Sequence, residues 1–135
     1  QFYWFSNRRD RIHKLPPGIF GLSNRLLDTP WPKLTRSKEA MAQLISEQEK
    51  LSQDDLFKVL LDRTVADDDQ LPDTGVGIEW ERILSPIFIT SPTYGTRSST
   101  IILIDRYNRI TFTEKTFNSD LQHATSVEYE FQIQC

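Results

Sequence analysis

Apolar and polar residues alternate along the chain in a way that predicts short strands near the N-terminus. Apolar residues crowd positions 2–6 and 19–22, and polar or turn-forming residues close each stretch, so both are predicted strands. A polar turn is predicted at residues 7–11. A second turn is predicted at residues 15–18, because two prolines and a glycine stand there.

The middle of the chain has helical periodicity. Apolar residues recur at helical spacing from residue 37 to about residue 50, which predicts a helix capped by Thr35 or Ser37. Ser52 and the acidic residues after it have the form of a capping box, so a second helix is predicted directly afterwards. Residues 64–82 hold three consecutive aspartates and two glycines without periodicity, and they are predicted to form a long loop.

The last third of the chain returns to strand patterns. Residues 87–89 and 99–105 are predicted strands, and the second is expected to be central because it is apolar on both sides. Residues 110–114 and 127–134 alternate between apolar and polar, which predicts strands with one buried face. Strands, a helical pair and further strands together predict an α+β fold, with the helices on a mainly antiparallel sheet.

Composition and charge narrow the class of protein. The 135 residues fit a single domain over residues 1–135, and a net charge of -3 provides no overall positive field for nucleic acid or anionic lipid. The longest apolar run, residues 101–104, is too short to span a membrane. Cys135 has no cysteine partner, and His13 and His123 are too few to complete a zinc cage. We therefore expect a soluble protein without a structural zinc site. A cytoplasmic location and no required cofactor are further expectations.

Two side chains are candidates for chemistry. Asn24 ends a predicted strand, where its amide could donate to an oxyanion or a ligand, although on spacing alone a turn-capping role is favoured. Arg97 lies in the turn before the most apolar strand and could bind a carboxylate or phosphate. An ion pair of Arg97 with Asp28, Asp105 or Glu114 is an equally open alternative.

Further candidate ligand contacts lie beside these two residues. They are Ser23, Asp28, Trp31, Tyr94, Thr96 and Ser98. Trp31 stands between two prolines, so packing of the loop is favoured over ligand stacking. Ser23 is not predicted to be a nucleophile, because Arg25 occupies the position where a hydrolase elbow needs glycine. The chain thus offers no complete catalytic constellation, and whether it is part of an enzyme stays open.

Three motifs resemble a known family. Residues 21–24 (Gly-Leu-Ser-Asn), 28–33 (Asp-Thr-Pro-Trp-Pro-Lys) and 94–102 (Tyr-Gly-Thr-Arg-Ser-Ser-Thr-Ile-Ile) are similar to the C-terminal half of the NRDE family, also called the Transport and Golgi organization protein 2 family. The resemblance implies an N-terminal-nucleophile-hydrolase-like αββα sandwich. This chain would be its C-terminal portion, supplying antiparallel strands and the helical pair.

The resemblance also carries expectations about function. The Asn-Arg-Asp-Glu tetrad of the family lies in its N-terminal half, so a missing N-terminal half of the same polypeptide is the expected partner. A role in haem trafficking or acyl-lipid metabolism is implied, with haem or a lipid as a carried ligand. The alternative is half of an amide hydrolase whose Cys nucleophile lies upstream of this chain. In that analogy Asn24 is similar to the oxyanion amide of the wider superfamily, and Arg97 to its later arginine, so the two side chains are expected to approach one another across one cleft.

Overall fold

The computed structural model describes residues 1–47, 50–118 and 124–133. Its elements are β1 (Phe2–Ser6), β2 (Arg9–Leu15), α1 (Pro32–Glu47), α2 (Gln53–Leu60), a 3-10 helix (Asp68–Gln70), α3 (Ile78–Leu84), β3 (Ser98–Ile104), β4 (Arg109–Phe117) and β5 (Ala124–Gln132). The described residues thus form two antiparallel sheets and three α-helices, which confirms the α+β class. His123 and Cys135 lie outside the described residues.

The first sheet is a hairpin of β1 and β2. Trp4 lies opposite His13, with the two rings 5.4 Å apart, and Tyr3 lies opposite Lys14. The turn predicted at residues 7–11 is shorter than expected, because β2 already begins at Arg9. Sequence patterns missed β2 because its central residues are mainly charged, whereas backbone pairing with β1 needs no apolar side chains.

No strand forms at residues 19–22, where one was predicted. The backbone N–H of Asp28 donates to the carbonyl of Gly21 over 2.8 Å, and the Asp28 carboxylate accepts from the N–H of Gly21 over 2.9 Å. These two bonds close residues 21–28 into a loop and take the place of strand pairing. Lys38 Nζ donates to the same carboxylate over 2.7 Å, and this bond, followed by the one from Gly21, lowers the pKa of Asp28.

The helical pair is confirmed, with one changed boundary. Helix α1 begins at Pro32, so Thr35 and Ser37 lie inside it and the predicted cap is wrong; the carbonyl of Trp31 accepts the first backbone bonds of the helix. Proline fits the first turn of a helix because the N–H it lacks would have no partner there. Ser52 caps α2 as predicted: its hydroxyl accepts from the N–H groups of Asp54 and Asp55 over 3.2 and 3.4 Å.

The stretch predicted as a long loop, residues 64–82, contains the 3-10 helix and the first part of α3. At residues 87–89 the structure has no strand, and only an isolated bridge joins Thr90 to Gly95. Instead, the N–H of Phe88 donates to the carbonyl of Asp62, and its buried ring packs edge-on against Phe117.

The second sheet has the order β3-β4-β5, so β4 is central and β3 lies at an edge. The expectation of a central β3 is therefore wrong. Although β3 is apolar on both sides, only one side is buried: Ile101 packs with Leu56 and Phe57 of α2, whereas Ile102 is 57% exposed. The apolar residues on the two sides of β3 therefore lie in different surroundings: one side packs on α2, and the other is exposed.

The face of this sheet turned away from the helices is largely apolar and uncovered. We call it the outer sheet face; it consists of Ile102, Ile104, Ile110, Phe112, Val127, Tyr129 and Phe131. Five of these seven side chains are exposed, including Tyr129 at 60% and Phe131 at 53%. Among the helices of the described chain, none combines the length and apolar character needed to cross a bilayer.

Candidate functional site

Asn24 and Trp31 line one cavity, of about 130 Å³, between the loop before α1 and helix α3. The Asn24 side chain is exposed and forms no hydrogen bond with another described residue, so the turn-capping alternative is not seen. Trp31 precedes α1 and is half-buried. The structure therefore brings together one free amide and one aromatic ring, two of the predicted site residues.

The ionisable and hydroxyl groups around that cavity are already engaged. Lys33 Nζ donates to the carbonyl of Leu84 over 3.0 Å; burial lowers the pKa of Lys33, and the charge of Glu81 opposes this. The buried Glu81 carboxylate accepts from the N–H and hydroxyl of Thr74 over 2.7 and 2.6 Å. The hydroxyl of Ser85 also donates and accepts within the chain. These groups stabilise the fold, so none of them is a free nucleophile.

Tyr94, Thr96 and Arg97 line a different cavity, of about 200 Å³, before β3. The Thr96 hydroxyl accepts from the N–H of Ile89 over 2.9 Å and shapes the loop. The Tyr94 ring lies 6.2 Å from Trp80 of α3 in an edge-on contact. The structure thus places Asn24 and Arg97 at separate cavities, whereas the superfamily analogy would bring them to one.

Arg97 is exposed and forms no ion pair within the described residues. The three carboxylates considered as its partners have other contacts: Asp28 with Lys38, Asp105 with Arg109, and Glu114 with the hydroxyl of Thr100. The ion-pair alternative for Arg97 is therefore not seen. An unneutralised guanidinium beside a cavity can accept an anionic group in a two-pronged geometry.

A third concavity, an apolar groove of about 440 Å³, was not foreseen from the sequence. We call it the β3 groove: the segment 18–20, helices α1 and α2, and the edge strand β3 enclose it. Met41, Ile45 and Val59 are among its apolar walls, and Lys38 is at its margin. Helical spacing marks these apolar residues as inward-facing, but it cannot distinguish the wall of a groove from a closed core.

The remaining predicted contacts lie outside these concavities. Ser23 is half-buried, and Ser98 begins β3, where it pairs with Thr116. Asp28 is occupied by Gly21 and Lys38, which gives it a structural role in the loop. Among the residues that the structure describes, no three His, Cys, Asp or Glu side chains are grouped so that they could hold a metal ion.

Comparison with known proteins gives the same family as the resemblance of the sequence motifs. The family model "Transport and Golgi organisation 2" matches residues 1–119. The human Transport and Golgi organization protein 2 homolog is 37% identical over 128 residues, covering 89% of this chain and 46% of the relative. The bovine homolog is 35% identical over 140 residues, covering 97% of this chain and 51% of the relative. The chain therefore spans about half the length of the curated relatives it matches.

Proposed function

Because the chain belongs to the Transport and Golgi organisation 2 family, we propose that it binds an amphipathic anionic ligand of the acyl-lipid class. The acyl chain occupies the β3 groove, and the anionic head group binds Arg97. One observation carries the proposal: an apolar groove runs beside β3, and an unpaired guanidinium stands at the start of the same strand.

The dimensions support this assignment. A volume of about 440 Å³ lies in the range of pockets that enclose small organic ligands. Residues 100–103 line the groove, so at about 3.3 Å per residue its walls lie roughly 10–20 Å along β3 from Arg97. A long acyl chain with a phosphate or carboxylate head covers such a distance. Lys38 is the weaker candidate for the head group, because Asp28 already neutralises its charge.

The test is titration of the chain with a long-chain acyl-CoA, compared with free coenzyme A. We expect Arg97→Lys to weaken acyl-CoA binding by about 1–3 kcal/mol, because lysine keeps the charge but loses the two-pronged geometry. Arg106→Ala is the control, since it removes an exposed arginine elsewhere. Thermal melts should be unchanged in both variants. Equal affinities of the wild-type chain and Arg97→Lys would refute the role of Arg97.

The groove has its own matched pair of variants. Ile45 lines the groove and is 49% exposed, so Ile45→Glu places a charge among its apolar walls with little cost to folding. Ile104→Glu makes the same change on the outer sheet face, where the side chain is 44% exposed. We expect only Ile45→Glu to reduce affinity for acyl-CoA, and by tenfold or more. An equal effect of both variants would contradict binding in the groove.

Haem is the second candidate ligand, favoured by one side chain. Met41 lines the β3 groove, and a methionine thioether can serve as an axial ligand of haem iron. A spectroscopic haem titration of wild-type chain and Met41→Leu distinguishes this candidate. A Soret shift that Met41→Leu abolishes, together with no binding of acyl-CoA, would make haem the carried ligand.

The proposal requires no cofactor, and we propose a cytoplasmic location because the one cysteine has no disulfide partner in the chain.

The proposal includes the remainder of the sandwich. We infer that the outer sheet face packs against a second sheet from polypeptide outside these 135 residues, giving the αββα architecture. Support comes from the exposed apolar side chains of that face and from the 46% coverage of the human relative. An amide hydrolase would need its Cys nucleophile in that other part, with Asn24 as oxyanion donor. The 135-residue chain should therefore not hydrolyse an amide substrate by itself, and turnover by it would contradict this division of roles.

A further inference from the structure

The two sides of the β1–β2 hairpin differ in burial. On one side Trp4 is only 9% exposed and its ring lies tilted against that of His13, while Phe2 at the end of the strand is 66% exposed. On the opposite side Tyr3 is 57%, Phe5 64% and Ile12 69% exposed. Lys14 lies opposite Tyr3 and completes this surface, which we call the hairpin face. Three large apolar side chains together with a lysine are unusual for a surface in contact with water alone.

The charge of the hairpin is opposite to that of the rest of the chain. Residues 1–15 hold four basic residues and one acidic residue, a net charge of +3, so the remaining residues carry -6 of the total of -3. Arg8, Arg11 and Lys14 are exposed, and none forms an ion pair with a carboxylate of the described residues. The whole-chain charge, which offers no positive field, therefore conceals a local basic segment.

We propose that the hairpin face docks the chain reversibly on an anionic lipid surface. Aromatic rings favour the interface between head groups and acyl chains, and lysine reaches from there to the phosphates. Each basic residue near an anionic bilayer strengthens binding by about fivefold. Few basic residues and three apolar side chains give weak binding, suited to a protein that visits a membrane without inserting into it. This docking is independent of the acyl-lipid site, because the hairpin contributes no residue to the β3 groove or to the Arg97 cavity.

The experiment is sedimentation of the full chain with vesicles of phosphatidylcholine alone or with one-fifth phosphatidylserine. We expect binding to the anionic vesicles only, with weakening as salt is added. Replacing both Arg8 in the hairpin turn and Lys14 on the hairpin face with glutamine should weaken binding by about 25-fold. The control Arg106→Gln removes an exposed arginine from the turn between β3 and β4 and should have no effect.

Phe5→Ser tests the apolar part of the hairpin face, with Phe131→Ser on the outer sheet face, away from the β3 groove, as its control. Only Phe5→Ser should reduce vesicle binding, and neither should lower the melting temperature, because both side chains are more than half exposed. Equal binding to neutral vesicles, or unchanged binding after the replacements of Arg8 and Lys14, would overturn the proposal. A lowered melting temperature for Phe5→Ser would identify the face as a packing surface. Competition by duplex DNA would identify nucleic acid as the partner instead.

Discussion

Asp62 joins the helical pair to the segment that leads to Phe88, and its replacement by asparagine should loosen that junction. Its carboxylate accepts from Arg36 Nε of α1 over 3.0 Å, and from the N–H and hydroxyl of Thr64 over 2.8 and 2.5 Å. Arg36 also donates to the carbonyl of Thr64 over 2.6 Å. Asparagine keeps the shape of the side chain but removes the charge that these donors face.

The expected loss follows from the strength of these bonds and their exposure. Hydrogen bonds to charged groups contribute about 1.5–3 kcal/mol, compared with about 1 kcal/mol for neutral ones. The side chains of Arg36 and Asp62 are 29% and 27% exposed, so solvent screens part of the difference. We therefore expect Asp62→Asn to lower the free energy of unfolding by about 1–2 kcal/mol at pH 7.

The loss should depend on pH in a defined direction. Burial raises the pKa of Asp62, but the hydrogen bonds from Thr64 and Arg36 outweigh it and bring the pKa below the usual 3.8. A carboxyl with a lowered pKa in the folded state stabilises the fold above its unfolded pKa, and this contribution is lost as pH falls through the folded pKa. The difference between wild-type chain and Asp62→Asn should accordingly be full at pH 7 and disappear in strong acid.

Urea unfolding followed by tryptophan fluorescence measures the free energy of unfolding at pH 7 and its dependence on pH, since the chain has three tryptophans. Asp69→Asn is the matched control: Asp69 is exposed and has no hydrogen bond or ion pair in the described chain. It should change stability by less than about 0.5 kcal/mol. A similarly small effect of Asp62→Asn at pH 7, or one that persists unchanged in acid, would refute the assigned role of the carboxylate.

Two further predictions concern packing. Gly21→Ala should destabilise the fold by about 1–3 kcal/mol, because a Cβ there would lie 2.5 Å from Cγ of the buried Leu34. Gly18→Ala is the control and should be nearly neutral, as thermal melts of the two variants will show. The chain should also self-associate through its outer sheet face, and Ile102→Lys with Phe131→Lys should shift it toward monomer in analytical ultracentrifugation. A wild-type chain that stays monomeric at high concentration would contradict the second prediction.

Local sequence signals identified some elements correctly. The cap at Ser52 and the alternation in β5 predicted a helix and a strand that the structure contains, but the expected buried face of β5 is wrong, because this strand is exposed at every position. Residues 19–22 are as apolar as a strand, yet the bonds between Asp28 and Gly21 hold them in a loop. Side-chain hydrogen bonds of this kind compete with sheet formation and leave no periodic signal. Likewise, β2 pairs through its backbone and shows no apolar pattern.

The candidate site was only partly accessible from the sequence. Unusual local motifs pointed to Asn24 and Arg97, and both are exposed beside cavities. Their separation, and the β3 groove itself, depend on how α1, α2 and the edge of β3 meet, which is a tertiary property. Met41 illustrates the difference: periodicity places it on the inward side of α1, but only packing shows that this side borders open space.

The meander order of β3, β4 and β5 has a consequence for how the chain folds. Each described strand pairs with a neighbour in sequence, so closing these pairs costs little loop entropy. The contacts that bring in α1 connect distant positions: Arg36 and Asp62 are 26 residues apart, and Lys33 and Leu84 are 51 apart. Local pairings form quickly and distant ones slowly, so docking of α1 onto the later segments is the step expected to set the folding rate. The walls of the β3 groove would then be completed last, by the slowest event in folding.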